Sequence, residues 1–275
     1  MSYSVPAPIQ KLFSAFPLLT YPAIPNPYVT SISHPTLWIA PPSDPKTSHL
    51  SSGVECLKWQ AYLAFRGVKD LHIRWDIAPE AGLDGRLPTL QLASGKLLGT
   101  QKIPTWADEV TEESLDTLEG YINEDAQAES RAWVTLLEGV VHSQLELSLP
   151  TTTTSYTSWL YERPKWTLQT VLFPPPAPLT GVTTPLPPSG VHITAGSVNS
   201  RYREAMESIS VRLGDDKWFL GSEAPTFIDA LLFAYLYRAL HGPKTTKYEV
   251  EKRDNLLLWE KRVRQLVSKQ TVISS

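Results

Sequence analysis

Proline sets where this chain can build regular structure, because each copy removes a backbone donor and biases the preceding residue away from helix. Of 24 prolines, ten fall within residues 1–45 and eight within 151–190, against four in 46–150 and two in 191–275. This spacing predicts two folded bodies and two extended arms: an N-terminal arm over 1–35, a first body over 36–110, and a second body over 111–275. The second body is interrupted by a proline-rich insert at about 150–197. The insert carries Thr151 to Thr154 and Phe173-Pro174-Pro175-Pro176, yet also Tyr156, Trp159, Tyr161 and Trp166. That is too aromatic for a passive linker, and it reads as a long loop whose rings pack onto a body.

Composition narrows the function classes. A net charge of -3, from 25 basic and 28 acidic side chains, leaves no basic footprint for nucleic acid. One cysteine excludes an internal disulfide framework and fits a reducing compartment. The six histidines are scattered without zinc-ligand spacing, so no metal or cofactor site is expected. The most apolar run, Phe227 to Leu240, contains Asp229 and Arg238 and is too short to span a bilayer. The first residues show neither a secretory apolar core nor an Arg-rich amphipathic leader. Any membrane association is expected to run through a partner or a surface patch.

The first body reads as strand, helix, three strands and helix. Thr36 to Ala40 is a short apolar strand stopped by Pro41-Pro42. Ser52 and Glu55 have capping-box spacing and open a helix to about Arg66, closed by Gly67. Leu71 to Ile77 alternates apolar and polar residues as a half-buried strand does. Leu87 to Leu92 and Lys96 to Leu98 flank the hairpin signal Ser94-Gly95. A capped helix starts near Thr100. The second body is helical, over Glu112 to Ile122, Asp125 to Leu149, Ser200 to Leu213, Thr226 to Leu240 and Asn255 to Val267. The fold class is therefore α/β followed by all-α.

Few residues offer chemistry. In Gly221-Ser-Glu-Ala-Pro225-Thr226-Phe-Ile-Asp229, Thr226 caps the helix and Asp229 reaches back to the cap N–H. Asp229 is thus structural, although it is a lone carboxylate in an apolar run. Cys56 lies a full turn inside its helix beside Leu57, which favours a small core residue over an activated thiol. Ser51 and Ser52 have hydroxyls but no base near them in sequence.

The order of these elements resembles the glutathione-transferase architecture, a thioredoxin-like domain followed by a helical domain. Pro88, opening the first hairpin strand, sits where that superfamily keeps a cis-proline, and the Thr226/Asp229 box resembles its folding box. The resemblance also implies an acidic residue before Ser or Thr after the hairpin, to hold the ammonium of glutathione. This chain has Gly99-Thr100 there instead. It further implies a Tyr, Ser or Cys nucleophile at the first-helix N-terminus, and no residue here fills that role cleanly. Catalytic, cofactor-binding and metal sites are all read as none.

A narrower likeness covers about residues 36–270. Glu55-Cys56-Leu57, Tyr62-Leu63, Phe65 and Gly67 resemble the first helix of the metaxins. Tyr156 to Tyr161, Val171 to Pro174, Leu213-Gly214 and Trp218 to Gly221 follow in metaxin order. The N-terminal Leu12-Phe13, Phe16-Pro17-Leu18 and Thr20-Tyr21-Pro22 are similar to the lead-in of fungal metaxin-related subunits. The resemblance implies a non-enzymatic, peripheral subunit of the sorting and assembly machinery on the cytosolic face of the mitochondrial outer membrane. Its implied partners are the barrel insertase, a second metaxin-like subunit and β-barrel precursors. A glutathione transferase and a transferase-like scaffold module of a soluble complex are the alternatives. Phe13 and Phe16, aromatic anchors in a stiff arm, are read as contacts on a surface, a partner subunit's or the chain's own body, with a mobile tail as the alternative.

Overall fold

The computed structural model describes residues 32–45, 48–112, 118–148, 195–270 and 272–273. The N-terminal arm with Phe13 and Phe16, and the proline-rich insert with its aromatics, lie outside the described residues.

β1 (Thr36–Trp38) runs parallel to β2 (His72–Arg74), with Leu37 opposite Ile73. The helix joining them is α1 (Val54–Phe65). β3 (Thr89–Gln91) lies antiparallel on the other side of β1, with Leu37 opposite Leu90, and β4 (Leu97–Leu98) closes the hairpin. A short strand near the chain's end, β5 (Val272–Ile273), runs parallel to β2. The sheet order is β4-β3-β1-β2-β5. Leu37, Ile39, Ile73 and Leu90 all bury toward one core, as period-two alternation requires when one face of a sheet is covered.

α1 is buried at every position from Cys56 to Ala64. A helix apolar all round must be packed on all sides. α1 shares one buried apolar cluster with the strands and packs against α6 (Phe227–Leu240) and α8 (Asp254–Gln270) of the helical domain. α6 is itself buried at twelve of its fourteen positions. The two bodies expected from the proline spacing therefore share one core along the α1–α6 seam. The ring cluster of Trp59, Tyr62 and Phe227 marks it, with centroids 5.4–6.0 Å apart.

The remaining helices are α2 (Ile103–Thr111), α3 (Glu124–Leu136), α4 (His142–Leu147), α5 (Ala195–Leu213) and α7 (Lys244–Glu251). Asn123 caps α3 by accepting from the Ala126 N–H at 2.7 Å. Four expectations need correction. The capped helix expected near Thr100 begins as a 3-10 turn, Thr100–Lys102, with α2 following from Ile103 and no side-chain cap on either. The described parts of Glu112 to Ile122 are not helical: Glu112, Glu119 and Gly120 have φ of 54°, 54° and 85°, a left-handed backbone that stops a helix. The helix expected over Asp125 to Leu149 is interrupted by a π turn, Leu137–Val141, between α3 and α4. α7 was not anticipated, because its polar sequence buries only Thr246 and Val250.

Among the described residues no helix is long and apolar enough to cross a membrane.

Candidate functional site

The start of α1 faces the end of β1, and Ser51, Ser52 and Cys56 are tied to backbone there. The Ser51 hydroxyl donates to the Ala40 carbonyl at 2.8 Å and accepts from the Gly53 N–H at 3.1 Å. The Ser52 hydroxyl donates to the Pro41 carbonyl at 2.6 Å. Cys56 Sγ accepts from the Ala40 N–H at 3.3 Å. Burial pushes the Cys56 thiol up to about 11, against the pull of that N–H. A thiol so placed stays protonated at neutral pH and is a poor nucleophile.

The expected Ser52/Glu55 capping box does not form. Gly53 occupies the cap, with no side-chain bond to the first turn. The Glu55 carboxylate instead points along the helix, accepting from Lys58 Nζ at 2.6 Å and from the Trp59 indole N–H at 2.9 Å. Lys58 is wholly buried, and a buried ammonium without a counter-charge is far costlier than a missing cap. Positions i+3 and i+4 place both donors on the Glu55 side of the helix. Lys58 Nζ also lies 5.5 Å from the Trp59 ring centre and 5.7 Å from that of Phe227.

On the helical domain, the π turn brings Glu138 toward this pair. Burial pushes Glu138 up to about 7, with nearby Lys58 pulling it down and Glu55 pushing it up. His142 follows, its ring edge-on to Tyr235 with centroids 6.1 Å apart, and burial lowers its pKa. Sequence reasoning missed Lys58 and Glu138. The Glu55–Lys58–Trp59 spacing was a usable signal for the first, and nothing in the sequence marks the second.

At the hairpin, Leu87–Pro88 is a cis peptide bond. Two short 3-10 turns, Pro79–Ala81 and Leu83–Gly85, precede it. They are strapped to β3 by the Leu83 N–H, which donates to the Thr89 hydroxyl at 2.8 Å. Gly82 is obligatory in this strap, because a Cβ there would stand 2.0 Å from the Arg86 carbonyl oxygen. The strap carries Leu83 over Gly99, one methyl lying 3.2 Å from where a Cβ on residue 99 would sit. Residue 99, where the resemblance implies an acidic residue, is thus both a glycine and partly covered by a leucine.

Thr226 and Asp229 form a capping box at the start of α6. Asp229 accepts from the Thr226 N–H and hydroxyl, both at 2.8 Å, and from the Phe219 N–H at 2.7 Å. The last bond ties the Trp218–Gly221 segment to α6, a link that the helix-capping pattern alone does not disclose. Burial raises the Asp229 carboxyl to about 6 despite these donors. Among the described residues no group of three or more His, Cys, Asp or Glu side chains could hold a metal ion.

With this geometry in place, comparisons with known proteins agree on the fold. A family model described as "Glutathione S-transferase, C-terminal domain" matches residues 202–263. No curated protein sequence matches the chain. Among solved structures, the chain is similar to a GST-like protein from Pseudomonas syringae, at 14% identity and a TM-score of 0.51 over 89% of this chain and 71% of that one. It is also similar to a glutathione S-transferase from Methylobacterium radiotolerans in complex with glutathione sulfonate, at 13% identity and a TM-score of 0.52 over 88% of this chain and 96% of that one. The chain therefore has a glutathione-transferase-like fold, a small mixed sheet with helices followed by a helical domain of the transferase C-terminal type.

Proposed function

We propose that this chain is a non-enzymatic, peripheral subunit of the mitochondrial outer-membrane sorting and assembly machinery. It sits on the cytosolic face and helps to receive or stabilise β-barrel precursors. Its partners are the membrane-embedded barrel insertase and a second metaxin-like subunit, which together hold it at the membrane. The metaxin-like residues of α1 and the Trp218–Gly221 segment support this reading. The observation that carries the non-enzymatic part is the start of α1: Ser51 and Cys56 are buried against backbone partners, the half-buried Ser52 hydroxyl is held by the Pro41 carbonyl, and Leu83 lies over Gly99. By the glutathione-transferase resemblance, an enzyme would need an exposed, activated group at that place and an acidic residue for the ammonium of glutathione.

Subcellular fractionation with alkaline carbonate extraction tests the proposal. The chain is expected to sediment with mitochondria, to be released at high pH, and to co-purify with the barrel insertase. Recovery in the cytosol without that insertase overturns it. The arm gives a second test: deleting residues 1–30 is expected to lower co-purification with the insertase while leaving the melting temperature unchanged. Full retention of the insertase refutes a partner-contact role for Phe13 and Phe16.

A further inference from the structure

The β4-β3-β1-β2 part of the sheet leaves β2 with one side facing away from its neighbours. The His72 N–H donates to the Pro35 carbonyl at 2.9 Å, and the Arg74 carbonyl accepts from the Ile39 N–H at 2.9 Å. In a parallel ladder, residues that turn their backbone groups toward one neighbour alternate with residues that turn theirs to the other side. Ile73, between the two, therefore directs its N–H and C=O outward. On that outer side lies β5, with His72 opposite Val272 and Ile73 opposite Ile273.

β5 is a light occupant. It is two residues long, and only residue 271 joins it to α8, which ends at Gln270. So short a ladder opens at low free energy, whereas an open strand edge is a ready template for another extended segment. Charged groups limit the edge beyond β2. The Arg74 guanidinium is held by Asp76 through bonds of 3.0 and 2.6 Å. At the other end, the rings of His34 and His72 stack with centroids 4.6 Å apart.

We propose that the outer edge of β2 is a strand-accepting interaction surface, filled in cis by Val272–Ile273, which takes in trans a short parallel segment of a partner protein with branched aliphatic residues at its centre. The direction and composition of the accepted segment follow from the resident one. Affinity comes from main-chain bonds to Ile73, the mode by which sheet edges capture extended peptides. The resident strand competes at an effective concentration on the order of millimolar, as a short tether provides. A free segment therefore binds the occupied edge weakly and the vacated edge more tightly. This surface is independent of the function proposed above, and its failure would leave that reading untouched.

The probe is a fluorescent peptide of residues 269–275, titrated into the full chain and into a chain ending at Gln270. The truncated chain is expected to bind it saturably and at least about tenfold more tightly than the full chain. A peptide with prolines in place of Val272 and Ile273 should not bind, since proline cannot keep the ladder. Hydrogen exchange supplies a second readout. The Ile73 amide should exchange faster in the truncated chain and regain protection when the peptide is added. If truncation compromises folding, the full-length V272P/I273P double variant takes its place in both measurements. Unchanged Ile73 exchange on vacating the edge, or equal binding of the proline peptide, overturns the proposal.

Discussion

Replacing Asp229 by alanine tests the centre of the helical domain. Its carboxylate is fully buried and accepts from the Phe219 N–H, the Thr226 N–H and the Thr226 hydroxyl. Truncation leaves two backbone N–H groups in the core without an acceptor, each costing about 1–3 kcal/mol. Loss of a cap alone would cost about 1 kcal/mol. Against this stands the cost of ionising a buried carboxyl. Its pKa rises from 3.8 to about 6, so the charged form carries about 3 kcal/mol at neutral pH that the variant escapes. The net loss expected at pH 8 is therefore modest, up to about 3 kcal/mol. The sign of the pH effect follows from the folded pKa lying above the unfolded one. The wild-type chain gains stability as pH falls through about 6 toward 3.8, and the variant lacks that gain. The gap should therefore widen by about 1–2 kcal/mol between pH 8 and pH 5. Urea unfolding followed by tryptophan fluorescence at the two pH values measures it, with Asp229→Asn as a non-titrating control of nearly equal volume. A loss below about 1 kcal/mol at both pH values, with no change in the gap, would refute the reasoning.

Glu260 gives a second pH test. It is 2% exposed, its nearest cation is Arg264 at 3.4 Å, and burial pushes it up to about 7. Stability should therefore decline as pH rises from about 4.5 through 7, and Glu260→Gln should remove that slope. The variant would be up to about 3 kcal/mol more stable at pH 8, measured by denaturant titration; an unchanged slope contradicts the assignment. The Cys56 thiol should react with iodoacetamide at pH 7.5 at least about tenfold more slowly in the folded chain than in urea, followed by mass spectrometry. Equal rates would mean that Cys56 is not held as a buried thiol.

The order of the elements was legible because period-two strands, a glycine hairpin and long apolar helices are local patterns. The place of Pro88 was legible for the same reason, and so was the Thr226/Asp229 box, whose partners are three residues apart. The second half of Asp229's work was not legible, since the Phe219 N–H reaches it from a segment with no helical register to α6. Ser52 and Glu55 have the spacing of a capping box, but burial of Lys58 requires the same carboxylate. That requirement is tertiary, because it arises only when α6 closes over α1. The π turn near Glu138 and the pairing of β5 with β2 are also products of packing between distant segments. The covered position at Gly99 was half legible. The missing acidic residue stands in the sequence, whereas Leu83 reaches it only through the fold of the Pro79–Gly85 strap.

Titration calorimetry of the purified full-length chain with reduced glutathione addresses the central claim most directly, because the transferase alternative requires that binding. With Gly99 in place of an acidic residue, Leu83 above it and no free nucleophile among the described residues at the start of α1, the account predicts no saturable heat up to millimolar glutathione. Saturable binding, lost on replacing Ser52 or Cys56 by alanine, would contradict it and return the chain to the enzymes whose fold it shares.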